Sequence, residues 1–208
     1  MDAVRRMDET ALEKMLLDAL VNFTRPQILA EVISPLLEKL GCEWSAGLLK
    51  IAKEHLSSSV VENFLWDMLR GASETAVAPR MVVGTPAGQL CEYGAMMAAV
   101  CAADCGWKPI YLGANLPAEE LAAAAVLKDA DAVAISIAYK AEDGMLCREV
   151  SRLRGSLKEK VHLFIGGRAA STCQSVLKGP NVFYFENLTD FCNFMTKPDL
   201  SSDISKRG

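Results

Sequence analysis

The sequence predicts an α/β protein in two parts, an N-terminal four-helix bundle followed by a five-stranded parallel sheet of the flavodoxin/Rossmann-like, doubly wound kind. Three observations predict it. Residues 1–75 carry apolar side chains only at helical spacing. From Arg80 onward, short Val- and Ile-rich runs alternate with helical stretches. No antiparallel hairpin signal joins any two of those runs, which leaves a parallel sheet covered on both faces.

In the first part, Thr10 and Glu13 form a T-x-x-E capping box, and Leu12, Met15, Leu16, Leu20 and Val21 follow at helical spacing. A second start lies at Thr24 with Pro26 in the first turn. Its apolar series, Ile28, Leu29, Val32, Ile33, Leu36 and Leu37, is expected to stop at Gly41, with a kink or a shortened first part at Pro35. The pattern is helical again from Trp44 to Leu69, and Gly47 with the Ser57–Ser59 run predicts two helices there. In the second part the predicted strands are Met81–Val83, Ile110–Leu112, Val133–Ala138, Leu163–Ile165 and Val182–Phe185. Helices are predicted over Glu92–Asp104, Pro117–Lys128, Asp143–Leu153, Ala169–Leu177 and Leu188–Met195. The joint falls near Gly71–Pro79, so the expected domains are 1–75 and 80–197, with 198–208 a loose polar tail.

Composition narrows the function. The 208 residues are 51% hydrophobic and 23% charged with a net charge of −4, which fits a folded protein and argues against a basic nucleic-acid surface. No run approaches the roughly 20 apolar residues of a membrane span, and no secretory signal follows Met1. The seven cysteines contain no C-x-x-C pair and read as reduced thiols of a cytoplasmic protein. Cys101 and Cys105 read as core packing, and His162 as structural.

In a sheet of order 2-1-3-4-5 the ligand crevice opens at the carboxyl ends of strands 1 and 3. That nominates Gly84–Gly94, Ser136–Gly144 and the adjacent Gly166-Gly167. Neither G-x-G-x-x-G nor G-x-x-x-x-G-K-[ST] occurs, so dinucleotide and P-loop readings lack their phosphate cradle. Ser136 stands where a phosphoryl-accepting receiver would need an acidic pocket.

Three segments carry a resemblance: Gln89-Leu90-Cys91-Glu92-Tyr93-Gly94, then Ser136-Ile137-Ala138, then Gly166-Gly167. With Tyr111–Pro117, which looks like the family's strand 2 and the turn after it, and with the bundle before them, the chain resembles the cobalamin-binding module of corrinoid proteins and cobalamin-dependent sensors over roughly residues 8 to 195. In that family a D/E-x-H-x-x-G motif follows strand 1, a serine follows strand 3 and a Gly-Gly pair follows strand 4. Trp44, nine residues before Glu54-His55, is similar to the pattern that caps the upper corrin face in light-sensing, adenosylcobalamin-binding transcriptional regulators. Eleven residues of straight helix would separate Trp44 from His55 by about 16 Å, so a shared ligand face requires a bend between them. The resemblance implies a tetrapyrrole held by Trp44, Glu54, His55, Gln89, Cys91, Gly94, Ser136, Ala138, Gly166 and Gly167, with Cys91 and His55 the metal candidates.

The sequence departs from the family at the metal. The cobalt-ligating histidine is Cys91, its acidic partner is Gln89, and Ser45 follows Trp44 where light sensors often carry a second histidine. Three readings follow: Cys91 ligates as thiolate with Gln89 as hydrogen-bonding neighbour, cobalamin binds without a lower protein ligand, or the pocket holds haem or a linear tetrapyrrole such as biliverdin. The expected function is a sensor module that signals to a separate regulatory protein, with no direct nucleic-acid or membrane contact and scope for homo-oligomers. A corrinoid carrier subunit of a methyltransferase and a cofactor-free interaction scaffold are the competing readings. Catalysis by this chain alone is not expected, since no Ser–His–acid constellation is readable among two histidines.

Overall fold

Asp8, two residues before the predicted box, starts the first long helix. Its side chain accepts from the Ala11 N–H at 2.9 Å, so the helix runs Glu9–Asn22 (α2). Thr10 and Glu13 therefore lie inside the helix, because a carboxylate both caps the free N–H groups and meets the positive end of the dipole. A short α1, Asp2–Arg6, precedes it. The computed structural model describes residues 1–71, 78–140, 144–174 and 178–196. Its contacts divide the chain into two compact units, Met1–Gly71 and Ala72–Gly208.

Thr24 caps the next start, its N–H donating to Gln27 Oε1 at 3.0 Å ahead of α3, Arg25–Gln27. A π-helical segment, Ile28–Ile33, leads into α4, Ser34–Ser45. Pro35 explains the wide turn. Proline has no N–H to donate, and its ring crowds the carbonyl four residues back, here Glu31. The wider π spacing, with Ser34 N–H reaching Leu29 O, relieves that crowding without ending the helix.

Gly41 does not stop this helix, which continues to Ser45. The break comes at residues 46–50, where Gly47 takes φ +71°. From Ile51 to Arg70 a single helix (α5) passes through Ser57–Ser59, in place of the two predicted. Val61, Phe64, Leu65 and Met68 bury one stripe of it, and that packing outweighs the few tenths of a kcal/mol each serine costs. Arg25 closes its far end, donating from Nη2 to Met68 O at 2.6 Å.

In the second unit the strands are β1 (Arg80–Pro86), β2 (Lys108–Leu116), β3 (Ala132–Ser136), β4 (His162–Gly166) and β5 (Val182–Phe185). All pairings are parallel, in the order β2-β1-β3-β4-β5. The helices are α6 (Tyr93–Asp104), α7 (Ala118–Leu127), α8 (Met145–Ser156) and α9 (Leu188–Met195). A 3₁₀ turn, Ala170–Cys173, stands within the predicted helix Ala169–Leu177, of which 175–177 lie outside the described residues. Asp143, residues 72–77 of the expected joint and the tail 198–208 lie outside them too.

Alternation splits each strand between two cores. Val82, Val133, Ile135, Leu163 and Ile165 face α7 and α8. On the other face, fully buried Phe164 has the rings of Trp107, Phe183, Phe185, Phe191 and Phe194 at 5.6–6.3 Å. His162 stacks on Phe164 at 6.0 Å, a structural place.

The cysteines correct an expectation. Cys101 and Cys192 form a disulfide joining α6 to α9, and Cys147 and Cys173 form one joining α8 to the 3₁₀ turn, with Cα separations of 5.9 and 5.1 Å. The partners lie 91 and 26 residues apart, so helix packing, invisible in spacing, pairs them. The cysteines therefore carry no argument for a reducing compartment. Cys42, Cys91 and Cys105 remain free thiols, and burial, with the nearby Asp104 charge, pushes the Cys105 thiol above its ordinary value. No helix among the described residues is long and apolar enough to cross a membrane.

Candidate functional site

The carboxyl edge of the sheet begins with a tight turn. Gln89 N–H donates to Pro86 O at 3.0 Å and Gly88 takes φ +83°, the third position of a type II turn. The end of β2 holds this turn from one side. Asn115, itself at φ +61°, accepts from Gly88 N–H at 2.8 Å through Oδ1, and its own N–H donates to Thr85 Oγ1 at 2.9 Å.

Gln89 holds it from the other side. Its side chain is directed toward the loop after β3 and is buried with the residue only 2% exposed. Oε1 accepts from the N–H groups of Ala138 and Tyr139, both at 2.9 Å, and Nε2 donates to Tyr139 O at 2.9 Å. The structure thus joins Gln89 and Ala138, two of the sequence-predicted site residues. The hydrogen bonds of the Gln89 amide go to loop backbone, a role the reading of Gln89 as neighbour to a Cys91 thiolate did not contain.

Gly94 and Ser136 are the second pair brought together. A Cβ at Gly94 would lie 2.3 Å from Ser136 Oγ and 3.3 Å from Ser136 Cβ, so the first turn of α6 approaches β3 only because residue 94 is glycine. Ser136 in turn pairs with Gly166 across the sheet. Gly167 takes φ +102°, and a Cβ there would lie 2.4 Å from Ile137 O. Its lack of a side chain is required by the chain itself.

Cys91 is half-buried between Gln89 and α6. Beside it Tyr111 O–H donates to Glu92 Oε2 at 2.8 Å. Leu90 is 73% and Tyr139 54% exposed, and a Cβ at Gly88 would meet nothing within 4 Å. The edge is therefore an open ledge of backbone and glycine flanked by two exposed large side chains, Leu90 and Tyr139. It does not present a finished metal site. Among the described residues no three His, Cys, Asp or Glu gather where they could hold an ion.

In the helical unit, Trp44 lies in the last turn of α4 and is 48% exposed, while Glu54 and His55 lie in the first turns of α5. The helix is interrupted between them at residues 46–50. Glu54 Oε1 accepts from Ser58 Oγ at 2.7 Å, which orients the carboxylate, and the His55 side chain is 70% exposed. Thr85 and Asn115 are the residues that sequence reasoning missed. Asn115 had a signal, since asparagine before a proline-led helix favours a left-handed turn. Thr85 had none, because its hydroxyl looks like any other in a strand.

Two family models, each described as a B12 binding domain, match residues 79–187 and residues 1–65. The HTH-type transcriptional repressor CarH of Myxococcus xanthus is 27% identical over 189 residues, which cover 91% of this chain and 63% of the repressor. The HTH-type transcriptional repressor CarA of the same organism is 31% identical over 102 residues, 49% of this chain and 34% of that protein. The chain thus spans less than two thirds of the length of either. Among solved structures, the monomethylamine corrinoid protein of Methanosarcina barkeri superposes with a TM-score of 0.69 at 16% identity, covering 94% of both chains. At that identity the likeness is one of fold.

Proposed function

Because the chain belongs to the B12 binding domain family, we propose that it is a cobalamin-binding sensor module that reports the state of its ligand to a separate regulatory protein. One observation carries the regulatory half of this reading: likeness to the CarH repressor runs over 91% of the chain and so takes in both units. The likeness to the corrinoid protein is one of fold and lends the carrier reading no comparable support.

In this reading residues 80–197 bind the ligand along the ledge through Gln89, Cys91, Gly94, Ser136, Ala138, Gly166 and Gly167. The helical domain supplies Trp44, Glu54 and His55 as contacts to the ligand. Bound cobalamin would supply a cobalt centre that responds to oxidation state or light. The chain's own work is to hold the macrocycle, exclude water and translate a changed ligand into a changed surface. Catalysis by the chain is no part of the proposal. A cytoplasmic location, a protein partner and self-association belong to it.

The test is an absorption spectrum of the full chain, incubated in darkness with adenosylcobalamin, hydroxocobalamin, haem or biliverdin, desalted and then illuminated. Retained cobalamin with a spectral shift on illumination or oxidation is the expected result. Retained haem or biliverdin alone would end the cobalamin reading. Cobalamin that cycles to Co(I) and accepts a methyl group from a partner enzyme would make the chain a carrier. Trp44→Ala and His55→Ala are expected to weaken retention or move the spectrum, and Cys91→His to move it toward a histidine-ligated form. Unchanged spectra in all three would remove those residues from the ligand.

A further inference from the structure

We infer that Gln89 is a positioning residue: its side-chain amide brackets the loop after β3 to the turn after β1 and so sets the ledge on which the ligand rests. The inference rests on the cobalamin reading for the ligand's identity, though not for the bracket itself. β1 and β3 are neighbours in the sheet, and their register pairs Gly84 with Ile135. Beyond those residues β1 and β3 no longer pair with each other, and once Ser136 has paired with Gly166 the backbone of the loop after β3 needs new partners. Gln89 supplies them in a form only a primary amide allows. Its Oε1 uses both lone pairs on consecutive N–H groups, those of Ala138 and Tyr139, while Nε2 donates to the Tyr139 carbonyl.

A carboxylate of the same size could accept from the two N–H groups but would set an oxygen against Tyr139 O. An apolar side chain at this buried position would take the Gln89 partner away from all three groups. The backbone of Gln89 is fastened as well, since its carbonyl accepts from Asn115 N–H at 3.2 Å and from the Thr85 hydroxyl. One residue therefore links the ends of β2, β1 and β3, three adjacent strands. Exposed Leu90 and Tyr139, each next to a bracketed group, take their places on the ledge from it.

Amide hydrogen exchange followed by NMR on the full chain without ligand tests the bracket directly. Gln89→Leu is expected to speed exchange at Ala138 and Tyr139 by about tenfold or more, with Val133 and Ile135 unchanged. Gln89→Glu, which keeps the acceptor for both N–H groups but sets an oxygen against Tyr139 O, is expected to speed exchange at both amides by less than the leucine variant does. Exchange in the leucine variant within about twofold of wild type, or equal loss in both variants, would overturn the bracket. If the leucine variant does not fold, the wild-type Gln89 Nε2 protons decide, because exchange as fast as in an exposed glutamine would also overturn it. Equilibrium dialysis with hydroxocobalamin then tests the ledge. Affinity in Gln89→Leu is expected to fall about tenfold or more, and unchanged affinity with lost protection would end the positioning role. A wild type that retains no cobalamin would count against the function reading alone, with the exchange rates still deciding the bracket.

Discussion

The two units of this chain differ in what decides their elements. In the α/β unit every strand appears where its Val- and Ile-rich run stands, and Val182–Phe185 and Leu188–Met195 agree with the sequence to the residue. In the helical unit three local signals are overruled: the box at Thr10, the stop at Gly41 and the break at Ser57–Ser59. A strand buried on both faces announces itself through its whole composition. A helix end rests on one or two residues, and packing or a better neighbour can outbid them.

Four substitutions sharpen that contrast, beginning with the largest effect. Gly167→Ala puts a methyl group 2.4 Å from Ile137 O at φ +102°. It is expected to cost about 3 kcal/mol or more in urea denaturation, and a loss under about 1 kcal/mol would show that this sheet edge yields. Next is the competition of caps. Asp8→Ala is expected to cost about 1 kcal/mol, while Thr10→Ala stays within about 0.5 kcal/mol. The reverse order would return the helix start to Thr10. The smallest effect has the opposite sign. Gly41 lies in the continuous helix α4 with nothing within 4 Å of an added Cβ, so Gly41→Ala is expected to stabilise by about 0.5–1 kcal/mol. Destabilisation there would mean that the glycine is needed for a bend.

Most of the fold was legible because alternating grammar and the absence of hairpin signals leave few parallel topologies open. The candidate site was legible in part, and the reason lies in reach. Gly94 and Ser136 could be nominated from their loops, but the close approach that makes residue 94 a glycine belongs to a register no local pattern encodes. Gln89 could be seen as a departure from an acidic residue. That its amide serves Ala138 and Tyr139, 49 and 50 residues away, is a fact of three dimensions. The disulfides escaped for the same reason, since cysteines 91 residues apart carry no mark of being neighbours.

The π-helical segment Ile28–Ile33 holds one residue more than an α-helix of the same span. That surplus makes the stretch tolerant of a change in chain length, which few places in a packed helix are. In an alignment of relatives a single-residue gap is expected to fall between 28 and 33 together with a residue other than proline at 35, and such a chain would run a regular helix from Arg25 to Ser45 with its flanking faces in phase. A gap of two would turn one half of the helix away from its packing partners.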